Sequence, residues 1–247
     1  MVRLIVFMLI LFALMVATPM QAVHALPSVD IELDDELGAT GTGLRLLLLL
    51  TVLAVAPAIL VMMTSFTRTV VVLAFVRNAL GTQQMPPNQV LLGLALFITV
   101  FVMMPVWQPI YADAWIPLQE GTIGWEEAYA RAEDPLRDFM LEHTRGRDLQ
   151  LFLGFSQEAP PETPEEVPLY ALVPAFAISE LKTAFQMGFV IFLPFIVIDM
   201  VVASTLMAMG MLMLPPMMIS LPFKVLLFIM VDGWHLIIQS LLDGLMT

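Results

Sequence analysis

The sequence predicts an all-α membrane protein built from helical hairpins, with about four hydrophobic segments after a signal peptide. Three observations carry this. Apolar residues make up 60% of the chain and charged residues only 13%, whereas soluble domains run nearer half apolar and a quarter charged. Mean hydropathy is +0.90 over 247 residues, more apolar surface than a soluble fold of this size can hide, so lipid is part of the solvent. Finally, four apolar runs follow a shorter N-terminal one.

The short run comes first. Arg3 is a one-charge leader, and Leu4 to Val16 is apolar for 13 residues, too short for a comfortable span. Pro19 and then Val23-His24-Ala25 follow, with small or β-branched residues at the positions a signal peptidase reads. Residues 1–25 are therefore expected to be a signal peptide cleaved after Ala25. Residues 26–45 read as an acidic periplasmic tail, because 27–37 hold five acids and no base.

Leu46 to Met63 is the first expected span and Val90 to Val106 the second, with Pro87 just before it as a helix-start signal. Together they make a first hairpin, 46–106. Its connection, 64–89, carries Arg68 and Arg77 and no acid, which places it on the cytoplasmic side. Residues 107–184 then form a periplasmic helical region. In it Asp134 and Pro135 read as an N-cap and first helical residue, ahead of Leu136, Phe139 and Met140 on one apolar face. The proline-acid stretch within 157–168 reads as a disordered linker. Between 112 and 170 there are 13 acids and 4 arginines, read as a solvated surface. Phe185 to Ala203 and Met211 to Val231 make a second hairpin inside 185–247.

Composition also excludes functions. The chain has no cysteine, so disulfides, thiol catalysis and cysteine metal sites are ruled out. A net charge of −12 argues against nucleic acid as a partner. No catalytic, cofactor-binding or metal-ligating constellation stands out, and the chain reads as a non-enzyme.

The second hairpin is not an ordinary lipid-facing pair. Glu180 and Lys182 stand at its entry, Asp199 inside its first arm and Lys224 inside its second. Charges in hydrocarbon are costly and normally face a protein interior or a watery cavity, with a partner. Glu180 with Lys224 is the first pair to expect, although simple topology sets the two near opposite faces of the bilayer. Pairing between subunits, or a hairpin that is not a simple insertion, would resolve that; an interfacial Glu180 and a snorkelling Lys224 is the plainer alternative.

Methionine is the second oddity. Met200, Met207, Met209, Met211, Met213, Met217 and Met218 fall within 19 residues. Four of the seven alternate at every second position around Gly210, which does not build one helix face. Gly210 and Pro215-Pro216 indicate a broken helix or loop at membrane depth, tolerated where backbone is buried in protein or lines a cavity. Methionine conforms to irregular shapes, so a ring of such loops would seal a pore yet yield to a passing chain. A methionine-rich helix packed on its neighbours is the alternative. Two other classes compete: a small-solute channel or transporter, which also uses broken helices, and an intramembrane protease with Asp199 and Asp232 as a dyad. The first lacks an inverted repeat, and the second lacks a glycine-rich context around Asp199.

Three blocks carry a family resemblance. Met63-Thr64-Ser65-Phe66-Thr67-Arg68 runs on to Arg77-Asn78-Ala79-Leu80-Gly81-Thr82-Gln83-Gln84-Met85-Pro86-Pro87-Asn88-Gln89-Val90. Pro174-Ala175-Phe176-Ala177-Ile178-Ser179-Glu180-Leu181-Lys182-Thr183-Ala184-Phe185 precedes Gly188, Leu193-Pro194-Phe195 and Asp199. Met209-Gly210-Met211 leads to Leu214-Pro215-Pro216, Ser220-Leu221-Pro222-Phe223-Lys224 and Val231-Asp232-Gly233-Trp234. Over about residues 44–245 these blocks resemble the FliP family, which includes the SctR subunits of virulence injectisomes. The resemblance implies a pore-forming subunit in the bacterial inner membrane and flagellar basal body, assembled as a pentameric ring with FliQ and FliR and working with FlhA and FlhB. It implies that unfolded flagellar proteins pass through the ring, with the injectisome subunit as the alternative. It also implies a pore gasket at Met209, Met211, Leu212 and Met213, where Leu212 departs from a methionine often found there.

Overall fold

The computed structural model describes residues 38–82, 84–156, 161, 163–211 and 213–246. The expected signal peptide, most of the acidic tail, Leu212 and part of the 157–168 linker lie outside them. Among the described residues the regular structure is entirely helical. The chain divides into two compact units at Thr51 and Val52. Of the first unit, the described part opens helix α1 (Gly38–Met62), where Leu46, Leu47, Leu49 and Leu50 are exposed. The second unit holds everything that follows.

Within the second unit, α2 (Phe66–Leu80) begins after the break at Met63–Ser65. Val72, Leu73, Val76, Ala79 and Leu80 are all buried, the one-face spacing of an amphipathic helix. Gly81 stops it in the left-handed conformation, φ 75°, with its N–H donating to the Asn78 carbonyl. Residues 64–89, expected as a connecting loop, therefore hold the most buried helix of the unit. The nine residues Thr69 to Arg77 contain only one charge, an apolar run too short to span a bilayer but suited to a core helix.

Next come α3 (Asn88–Val102), α4 (Met104–Pro109), a π-helical stretch (Ile110–Trp115) and α5 (Ile116–Gln119). α6 covers Trp125–His143, so Pro135 is interior to it and Asp134 is no cap. Proline removes one backbone hydrogen bond, and burial of Ala128, Phe139 and Met140 on one face outweighs that loss. α7 (Gly146–Phe155) follows, then a 3-10 turn at Pro164–Glu166. Here the linker expectation is corrected for its last residues: Val167 is buried and its carbonyl accepts a hydrogen bond from Arg137.

α8 (Leu169–Ala208) is the spine, 40 residues long. Its opening turns pack Leu172 and Phe176 with Met103, Phe139, Met140 and Val167. Its middle packs Ala184 and Phe195 with Val72, Leu73, Val76, Leu91, Ala95 and Phe228. Gly188 lets α2 approach, since a Cβ there would lie 2.4 Å from Phe75 Cγ. The expected boundary at 184/185 therefore falls inside one continuous helix. α9 (Pro216–Met230) and α10 (Gly233–Met246) complete the chain. Among the described residues α8 alone is long and apolar enough to cross a bilayer as one helix. Two broken pairs meet the same test together: α3 with α4–α5, bent 56°, and α9 with α10, bent 62°.

Candidate functional site

Arg68 stands three residues into α2 and is buried. Its Nε donates to Glu180 Oε2 at 2.9 Å, and its Nη2 donates to Glu180 Oε1. The guanidinium fork thus matches the carboxylate at two points, which a lysine cannot do. Nη1 donates to the carbonyl of Gly244 in the last turn of α10, where helix carbonyls lack intrahelical partners and a cation is favoured. One buried side chain therefore ties together α2, α8 and α10. Glu180 is 0% exposed, so this contact meets a charge that would otherwise be very costly to bury.

The second ionic tie lies further along α8. Lys224 Nζ donates to Asp199 Oδ2 at 2.6 Å, and Ser220 Oγ donates to Asp199 Oδ1 at 2.5 Å. Lys224 is 3% exposed and Asp199 is 30% exposed. The Lys224 ammonium also lies against the C-terminal end of α2, where a Cβ on Gly81 would be 3.7 Å from Nζ. Helix carbonyls at that end favour the cation.

The expected pair of Glu180 with Lys224 is thus corrected: within the chain each takes a different partner. Geometry explains it. Glu180 and Asp199 are 19 residues apart on one helix, roughly 28 Å at about 1.5 Å per residue. Arg68 and the Gly81 cap sit at opposite ends of α2, so α2 lies along α8 with one tie at each end. Sequence reasoning counted Arg68 only as a topology signal. Its place at the head of a buried apolar run was the clue that it needed an acid.

Both carboxylate oxygens of Asp199 are engaged by Ser220 and Lys224, while Asp232 is an exposed residue with φ 50° at the break between α9 and α10. Asp199 is therefore taken up by a hydroxyl and an ammonium rather than by a second carboxylate.

Between α8 and α9 the backbone leaves the helix. Gly210 adopts φ 73°, and Pro215, in extended conformation, opens α9. Met209 is 62% exposed, Met211 40% and Met213 98%. The residues expected as a gasket therefore sit on an irregular hairpin tip, with Leu212 outside the described residues. The Asp199 tie anchors the hairpin nine residues before the end of α8.

A third polar group, Ser179, fixes α7. Ser179 is fully buried; its hydroxyl accepts from the Arg145 backbone N–H at 3.1 Å and donates to Asp148 Oδ2 at 2.8 Å. Among the described residues, no group of three or more His, Cys, Asp or Glu side chains is placed to hold a metal.

These features define a class: a helical protein with a bilayer-length spine, broken helix pairs, charges paired inside the bundle, and an exposed irregular hairpin tip. The profile of the FliP family matches residues 49–241, and the chain belongs to that family. It is 61% identical over 200 residues to the flagellar biosynthetic protein FliP of Bacillus subtilis, covering 81% of this chain and 90% of that one. The protein of the same name from Pectobacterium carotovorum is 54% identical over 199 residues, 81% of this chain and 77% of its own. That of Caulobacter vibrioides is 47% identical over 235 residues, 95% and 88% of the two chains. The matched region contains both ionic ties and the methionine tip.

Proposed function

We propose that this chain is a pore-forming subunit of the bacterial flagellar protein export apparatus in the inner membrane, multi-pass and part of the basal body. Five copies form the ring, FliQ and FliR complete it, and FlhA and FlhB work beside it. Unfolded flagellar proteins pass through during flagellum assembly. The observation that carries this reading is the hairpin tip. Met209, Met211 and Met213 are exposed on non-helical backbone at the end of a long apolar helix, in a chain closely similar to proteins named for flagellar biosynthesis. Flexible thioethers fill an opening and repack around different side chains at little cost. The relatives' flagellar names favour this reading over the injectisome subunit.

The test is a variant with Met209, Met211 and Met213 all changed to alanine, in an assembled ring. Cells carrying it are expected to leak ions and small solutes while the ring stays intact. A fully assembled ring that remains tight places the seal elsewhere; loss of assembly with no leak assigns the methionines to packing.

A further inference from the structure

Three cations gather where α7 meets α8. The backbone N–H of Arg145 donates to Ser179 Oγ at 3.1 Å, and its Nη2 donates to Thr183 Oγ1 at 3.2 Å and to Gln186 Oε1 at 2.6 Å. Arg145 thus lies along two turns of α8. Lys182 stands three residues after Ser179 and four before Gln186, spacings that make neighbours on a helix surface. It therefore borders both residues that Arg145 holds. Arg147, in the first turn of α7, precedes Asp148, whose Oδ2 accepts from the same Ser179 at 2.8 Å. Arg147 and Lys182 are exposed, and no ion pair among the described residues involves any of the three cations. Asp148 is the acid of this cluster. Three cations to one carboxylate leave it positive, on a chain of net charge −12.

From this cluster α8 runs on without charge. Thr183 to Ile198 hold no acid and no base, about 24 Å of helix at about 1.5 Å per residue. They lie in the one helix, among the described residues, that is long and apolar enough to cross a bilayer unbroken. Lys182, Gln186, Phe189, Leu193, Val197 and Met200 succeed one another at steps of three or four, which places them on a single helix face. Every one of them is exposed. That face carries a cation and an amide at its head and apolar side chains along the rest, the amphipathic profile of a phospholipid. From Lys182 to Leu193 is roughly 16 Å of helix, close to one leaflet of a hydrocarbon core about 30 Å thick.

We infer that this face binds an anionic phospholipid, with Arg145, Arg147 and Lys182 on its phosphate and its acyl chains along Phe189 and Leu193. Charge complementarity selects the headgroup, because basic clusters beside membrane-spanning helices attract anionic lipid. The apolar stripe selects a lipid over a soluble anion, since free phosphate gains nothing from Phe189 or Leu193. A lysine at the head of such a stripe lays its methylene stem on the apolar surface and extends its ammonium to the phosphate level. Such a site requires α8 to cross the bilayer, as proposed above, and is independent of ring size and cargo.

The test uses the full chain in detergent with equal amounts of phosphatidylglycerol and phosphatidylcholine, bound lipid being counted by native mass spectrometry. The native chain is expected to retain phosphatidylglycerol over phosphatidylcholine by roughly tenfold or more. R147Q with K182Q removes two exposed cations that make no ion pair among the described residues; it is expected to keep the unfolding midpoint and lose most of that preference. R147K with K182R conserves both charges and is expected to retain it. No preference in the native chain, an unchanged preference in the glutamine variant, or a preference lost in the charge-conserving one overturns the site. Inorganic phosphate that displaces the lipid at equal concentration makes this a free-anion site and overturns the lipid assignment. A native chain that retains neither lipid overturns the membrane reading as well, whereas loss of selectivity alone leaves that reading standing.

Discussion

Arg68 and Glu180 are joined by two parallel N–H···O contacts across the interface of α2 and α8, and the third arm of the guanidinium holds Gly244 of α10. Glu180→Ala would leave Arg68 charged and buried without a counterion. Breaking such a pair costs about 3–5 kcal/mol. The expected outcome is loss of most folded protein from the membrane, measured as a lowered unfolding midpoint in detergent. Arg68→Lys keeps the charge but loses the fork, and is expected to fall between the native chain and the alanine variant.

Exchanging Glu180 with Lys224 tests the pairing itself. The double change Glu180→Lys with Lys224→Glu places lysine opposite Arg68 and glutamate opposite Asp199. Both ties become repulsive, so no rescue is expected over the worse single change. Recovery of motility in the double variant would restore the pairing first read from the sequence.

Asp199 and Lys224 are expected to respond unequally. Lys224 is nearly sealed from solvent while Asp199 keeps 30% of its surface exposed. Asp199→Asn retains an acceptor for Ser220 but leaves the ammonium unpaired and dry, a cost of about 1–3 kcal/mol after allowing for solvent near the carboxylate. Lys224→Met removes the cation and leaves an aspartate that reaches water and Ser220. The milder loss of stability is therefore expected for Lys224→Met; the reverse order in chemical unfolding would count against a sealed lysine.

Gly188→Ala introduces a Cβ 2.4 Å from Phe75 Cγ. Overpacking of this kind costs about 1–3 kcal/mol. Adding Phe75→Leu opens space and is expected to recover part of the loss in the same unfolding measurement.

The methionines divide by burial. Met140 is 0% exposed and packs with Phe139 and Phe176, so Met140→Ala is expected to cost about 2–5 kcal/mol. Met213 is 98% exposed, and Met213→Ala is expected to stay within about 0.5 kcal/mol of the native chain. Equal effects would mean that the tip is buried in the purified protein.

Much of this was legible in the sequence for local reasons. The apolar runs behind α1, α3, α8 and α9 follow from composition alone. Alternating methionines beside Gly210 and Pro215 pointed to a broken helix or loop, with a methionine-rich helix as the alternative, and the backbone leaves the helix there. The cost of charge in an apolar setting marked Glu180, Asp199 and Lys224 as residues in need of partners.

Partner choice was decided only by the tertiary structure. A sequence gives each charge a position along the chain, whereas a salt bridge depends on the height at which two helices cross. α2, read as part of a loop, lies along α8 and brings Arg68 to Glu180 at one end and the Gly81 cap to Lys224 at the other. Pro135 stayed inside α6 because the apolar face on both sides of it is buried, a gain that local propensity does not contain. The sequence by itself determined which residues cannot face lipid alone; packing of α2 on α8 determined which of them meet.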